Sequence, residues 1–191
     1  MSGLLGIARA IDRVNGIIGR SFAWLILVAV LVSAGNAIIR KTLNISSNAW
    51  LEAQWYLFGA VFMMCAAWTL REDEHVRVDV LSQRLSPRAR VRIDLICHIL
   101  FLMPFAVLMV YLAWPFFVSS YTSGEQSSNA GGLVRWPAKI WVLLGFIVLA
   151  AQGVSEIIKK AAMLTGHLDL PDPPQKEDDL PPAAKEAGNR G

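Results

Sequence analysis

Only a few side chains bring chemistry into the apolar stretches of this sequence, and each has a short list of uses. Glu52 and Gln54 open one stretch, Asp94 and His98 open another, and Gln152 and Glu156 come near the end of the last. A carboxylate facing lipid is costly, so Glu52 either faces protein, water or a cation, or reaches headgroup water beside Asn48 and Trp50. The sequence leaves both open. Glu156 precedes Lys159 at a spacing that permits a helical ion pair, which suits a structural role. Histidine raises haem ligation, because a small four-helix membrane subunit can hold a haem between two axial histidines. The supply is thin: His98 alone lies within an apolar run, His75 sits just past the previous one and His167 is near the tail. His98 therefore suits an interfacial polar residue beside Asp94 better than a ligand. Cys65 and Cys97 fall singly in two different runs, as small apolar-like side chains do, without the paired spacing of a disulfide or zinc site. No phosphate-binding glycine loop, nucleophile elbow or H-E-x-x-H motif occurs, so neither catalysis nor a cofactor is expected.

The elements that must position these residues are membrane helices. The 191 residues are 54% hydrophobic and 17% charged, with a mean hydropathy of +0.44, too apolar for an ordinary soluble domain. A net charge of +3 and a pI near 9.1 would suit a nucleic-acid partner only if the cations shared one soluble face. They sit instead at the ends of apolar runs, where they set topology. Four spans are predicted, at about residues 21–40, 49–70, 92–118 and 137–160, each long enough to cross a bilayer core. Ahead of them, at about residues 3–19, Leu4, Ile7, Ile11, Val14 and Ile18 recur at helical spacing opposite Arg9, Asp12, Arg13 and Asn15. That pattern predicts an amphipathic helix lying in the interface. A cleaved signal peptide is disfavoured, because the lead-in is too long for a charged n-region and apolar character continues through Ile39. Ala29, Ser33 and Ala37 are either a small-residue stripe for close helix packing or small residues scattered on a lipid-facing helix, and Trp50, Trp55 and Trp68 fall at belt positions.

Between the spans, Ser86-Pro87 is a helix start; Pro104 is expected to kink the third span and Pro115 to help end it. The Ser-, Gly- and Asn-rich connection from Ser119 to Lys139 has the composition of a moving loop or a docking surface. Residues 1–168 form one membrane domain, and the proline-rich, polar tail at about 169–191 is expected to be disordered. Arginine and lysine gather at the start of the chain, in the connection after the second span and after the fourth, while the opposite side keeps only Arg40, Lys41, Arg135 and Lys139. Four spans then place both termini in the cytoplasm.

Several segments together carry a family likeness: the amphipathic lead-in, four spans, Glu52 and Trp55 opening the second, REDEHVRVD from Arg71 to Asp79, and GEQSSNAGGLVRWPAK before the last. In these, from about Leu4 to Lys160, the chain resembles the small membrane subunit, the DctQ-like or Q component, of tripartite ATP-independent periplasmic (TRAP) transporters. The resemblance implies a bacterial inner-membrane complex taking up carboxylates with sodium. Its partners would be a large elevator-type permease subunit (M component) and a periplasmic substrate-binding protein (P component), with this chain widening the stationary scaffold and binding no substrate. Residues singled out as contacts to the partner or to lipid are Glu52, Trp55, Arg71, His75, Arg77, Asp79, Arg135 and Trp136. A haem-bearing or structural anchor of a redox complex is the alternative.

Overall fold

The computed structural model describes residues 2–44, 47–72 and 86–170. The expectations placed on His75, Arg77 and Asp79, and on the tail beyond Leu170, lie outside the described residues. Helices are α1 (Ser2–Ala23), α2 (Leu25–Leu43), α3 (Asn48–Arg71), α4 (Pro87–Cys97), α5 (Met103–Ser123) and α6 (Trp136–Leu164). A π-helical turn, His98–Leu102, joins α4 to α5, and only Trp24 separates α1 from α2. Among the described residues four helical stretches, at Ser2–Leu43, Asn48–Arg71, Pro87–Ser123 and Trp136–Leu164, are long and apolar enough to cross a membrane. Among the described residues the only strand-like pairing is an isolated antiparallel bridge, Gln126 to Val134.

Local chemistry explains the helix ends. Ser86 caps α4 by accepting from the Ala89 N–H at 3.3 Å, with Pro87 at the first helical position. The π turn falls immediately before Pro104, whose missing N–H cannot serve the carbonyl one turn back; a widened turn is one way a helix absorbs that loss. Pro115 departs from expectation. It lies inside α5, which runs two further turns to Ser123 and stops where Gly124 adopts a left-handed φ of 60° and returns its N–H to Ser120 and Tyr121. The stop is made by the glycine, because one lost hydrogen bond in an apolar helix is tolerated when its neighbours hold it.

α6 is the hub: it packs against α1, α3, α4 and α5. Small residues let the backbones approach. A Cβ on Gly145 would lie 2.6 Å from the Met63 Cβ, and one on Gly19 of α1 would lie 2.5 Å from the Trp68 Cβ. Ala60 and Ala67 on α3, and Ala106 and Ala113 on α5, are buried in the same manner. The Ala29, Ser33, Ala37 stripe on α2 engages at one end only: Ala29 is buried against the bundle, Ser33 is half-buried and Ala37 is exposed.

α1 has three faces. Leu4, Ile7, Val14 and Ile17 are exposed; Ala8, Asn15, Gly16 and Gly19 are buried; Arg9, Arg13 and Arg20 point away on a third side. Contacts along α1 at Ala8 with Ser155, Asn15 with Val148 and Phe22 with Trp141 set it antiparallel to α6 over about four turns. The helix is amphipathic as expected, but it is bound to the bundle along its length rather than set apart from the spans. The physical reason is polar: Asp12 and Asn15 find their partners on α6.

Candidate functional site

Polar side chains gather in two clusters at opposite ends of α3 and α6. The first surrounds Glu52, in the second turn of α3. Its Oε1 accepts from the Ser127 hydroxyl and from Asn129 Nδ2 at 2.8 Å, and its Oε2 accepts from the Leu133 N–H at 2.6 Å. One carboxylate thus ties down both arms of the loop before α6. The loop is a tight hairpin, with Ser127 N–H donating to the Leu133 carbonyl at 3.0 Å and Arg135 N–H to the Glu125 carbonyl at 2.9 Å. Its glycines are there for space and conformation: Gly131 has a φ of 69°, and a Cβ on Gly132 would lie 2.8 Å from Glu52 Oε1. Asn48 and Tyr56 of α3 add donors to the Ala130 and Val134 carbonyls, at 2.9 and 3.3 Å.

Next to this, Glu125 binds Lys139 at 2.5 Å and lies 3.8 Å from Arg135, which also donates to Ser128 Oγ at 3.4 Å. The hydrogen-bonded Lys139 ammonium, aided by Arg135, holds the Glu125 carboxyl below the usual glutamate range. Lys139 also sits 4.1 Å from the centre of the Phe116 ring, a cation–π contact. Beneath the loop a groove of about 510 Å³ opens between Trp55, Phe116 and Val142, with mostly apolar walls and Glu52, Arg135 and Lys139 at its edge.

The second cluster joins α1 to α6. Asn15 Nδ2 donates to Gln152 Oε1 at 2.8 Å, and Gln152 Nε2 donates to Asp12 Oδ1 and Glu156 Oε1, both at 2.9 Å. Ser155 donates to Asp12 Oδ1 at 2.7 Å, and Lys159 bridges Asp12 at 3.0 Å and Glu156 at 2.5 Å. Gln152 and Ser155 have no exposed surface. Every carboxylate here is matched by donors, so the cluster closes on itself as a buried joint. Asp94 of α4 pairs with Lys160 at 3.4 Å on a neighbouring face of α6. From Lys139 to Gln152 along α6 is about 20 Å at helical rise, and the intervening stretch, Ile140–Ala151, is entirely apolar.

An apolar waist of that length between two satisfied polar ends belongs to a protein that holds itself together across a bilayer. The family described as tripartite ATP-independent periplasmic transporters, DctQ component, matches residues 29–163. The chain belongs to this family. No curated protein and no solved structure matches it. As a DctQ component it is a multi-pass membrane subunit of a TRAP transporter, and the family is a transport component rather than a family of enzymes.

Within this DctQ chain the residues singled out from sequence separate. Glu52, Trp55, Arg135 and Trp136 share the loop end, where Trp55 is 75% exposed and Trp136 packs edge-on against Tyr121 with centroids 5.6 Å apart. Arg71 lies at the other end of α3, about 28 Å away by helical rise, close to Gly16 and 3.7 Å from Glu72. Glu52 faces protein, one of the alternatives the sequence left open, and serves as a clamp on backbone and side-chain donors. The anticipated Glu156 and Lys159 pair is present, but it is one edge of a larger network that sequence reasoning missed. Its signal was available: Asp12 and Asn15 sit a turn apart on one side of α1, as Gln152 and Glu156 do on α6. His98 Nδ1–H donates to the Asp94 carbonyl at 2.6 Å, and His167 lies in the C-terminal turn beside Thr165. Neither the described histidines nor any cluster of His, Cys, Asp and Glu among the described residues assembles a ligand set for haem or metal.

Proposed function

We propose that this chain is the stationary small subunit of a sodium-coupled carboxylate transporter in the bacterial inner membrane. It packs against a large elevator-type permease subunit, works with a periplasmic substrate-binding protein, and has both termini in the cytoplasm. The observation that supports this best is the placement of polarity. Substrate sites of secondary transporters lie near the bilayer midplane, where broken helices aim their termini at ligand and ion. Here Glu52 of α3 and Gln152 and Glu156 of α6 are spent on intramolecular clusters at the two ends, and the exposed large side chains between them are apolar. Such surfaces suit contact with lipid and a partner subunit. An elevator changes the depth of its substrate only if the remaining scaffold is held still in the bilayer. On this reading α1 runs beside α6 from the cytoplasmic surface inward, its exposed apolar stripe toward acyl chains and its arginines toward headgroups.

The test is uptake of labelled carboxylates into proteoliposomes under a sodium gradient. The large subunit and binding protein with this chain should transport, and without it should not; this chain alone should move nothing. Equal uptake with and without it makes the chain an accessory, and uptake by the chain alone overturns the proposal.

A further inference from the structure

The cations of α1 do not stand in a row over open solvent. Arg9, Arg13 and Arg20 share a cavity of about 660 Å³ with Arg71, contributed by the end of α3, and with Ile17 of the exposed apolar stripe. Two elements distant in sequence therefore bring four guanidinium groups to one concavity. The Arg71 guanidinium passes over the α1 backbone at Gly16, where a Cβ would have to push it aside. The acids nearby are already engaged. Asp12, which borders the cavity, is held from its far side by Lys159, Ser155 and Gln152; Glu72 lies 3.7 Å from Arg71 and accepts from the Trp68 indole N–H at 3.0 Å. Arg13 and Arg20 form no ion pair among the described residues. A strongly cationic concavity with an isoleucine wall, continuous with an exposed apolar helix face, complements a ligand with a phosphate at one end and hydrocarbon at the other.

We propose that this cavity binds the headgroup phosphate of an anionic phospholipid from the leaflet on its own side, with Ile17 and Val14 against the first carbons of the acyl chains. Bound lipid would clasp α1 to α3 at a point where they otherwise meet through like charges. The proposal rests on the arginine-lined cavity opening at headgroup depth, but not on the transport assignment.

The full chain, purified alone in a mild detergent, is titrated with phosphatidylglycerol and, separately, with phosphatidylcholine, and retained lipid is counted by native mass spectrometry. Phosphatidylglycerol should be retained in preference to phosphatidylcholine. Arg13→Gln with Arg20→Gln should weaken that retention about twenty-five-fold, about fivefold for each arginine. Arg13→Lys with Arg20→Lys, which keeps the charge and controls for folding, should retain most of it, and Arg40→Gln with Lys41→Gln, at the far end of α2, should change nothing. Millimolar glycerol phosphate should not displace the lipid. Equal retention of the two lipids, or equal losses in the α1 and α2 variants, would refute a headgroup site. Displacement by glycerol phosphate would make the ligand a soluble phosphate instead.

Discussion

At the scale of residues, the two end clusters differ in what they will tolerate. Gln152 is fully enclosed and links Asn15, Asp12 and Glu156. Gln152→Leu keeps the volume but strands these partners, and the expected loss is about 1–3 kcal/mol of stability, read as a fall in thermal midpoint in detergent. A loss no larger than that of a surface substitution would show that water replaces the amide. Glu125 carries a pH dependence whose sign is determined. Its folded-state pKa is lowered by Lys139, so its stabilisation is present above the ordinary glutamate value and fades as pH falls through the folded value. The midpoint difference between the wild type and Glu125→Gln should hold steady from neutral pH to the top of the glutamate range, then close under more acid conditions. A gap that widens in acid would reverse the assignment.

At the scale of elements, α1 and α6 make the sharpest demands. If α1 lies flat, spin labels at Ile7→Cys and Val14→Cys should report the same depth; if it follows α6 as its contacts indicate, their depths should differ by about 10 Å, seven residues of rise. Oxygen and nickel-chelate accessibility in bilayers measures this; the packed placement predicts the full difference, with Arg9→Cys and Arg13→Cys in the chelate-accessible zone, and a shared depth would overturn it. Helix α6 tolerates little growth at its crossing with α3. Gly145→Val has to displace Met63, and about 1–3 kcal/mol of destabilisation is expected from overpacking, checked by the same thermal measurement. The equivalent change at Gly59, where a Cβ meets nothing within 4 Å, is the control and should be near neutral.

At the scale of the whole molecule, the charge asymmetry predicts sidedness. In a background with Cys65→Ala and Cys97→Ala, Ala130→Cys in the hairpin should react with a membrane-impermeant thiol reagent in intact cells. Arg88→Cys at the start of α4 should react only after the membrane is opened. Both sites are exposed, so access through the protein does not confound the comparison. Labelling of Arg88→Cys from outside would invert the orientation, and with it the leaflet assigned to the arginine cavity. On the proposed orientation the two clusters have distinct duties: the Glu52 end would order an external loop, and the Asp12 end would secure the lead helix on the inner side.

The membrane class and the four spanning stretches were legible in the sequence because a bilayer imposes length and polarity on each helix separately, so every span can be recognised without knowing its neighbours. The family was legible for a related reason, since Glu52, the Arg71 to Asp79 segment and the hairpin before Trp136 are local patterns. What helical periodicity reports is a face, and a face has no address. Asp12 and Asn15 were placed on the polar side of an interfacial helix, whereas they meet Gln152 and Lys159 about 140 positions later, and Gly19 lets the same helix approach α3. Glu52 was seen to be costly in lipid, yet its partners at Ser127, Asn129 and Leu133 were set by the turn at Gly131 and the space left by Gly132. Pro115 likewise looked like an end because its local chemistry is unfavourable, but α5, packed along α6, continues past it. The sequence by itself determined which residues could not face lipid; only the tertiary structure decided what they face instead, because close helix approach and long-range hydrogen bonds are properties of packed pairs.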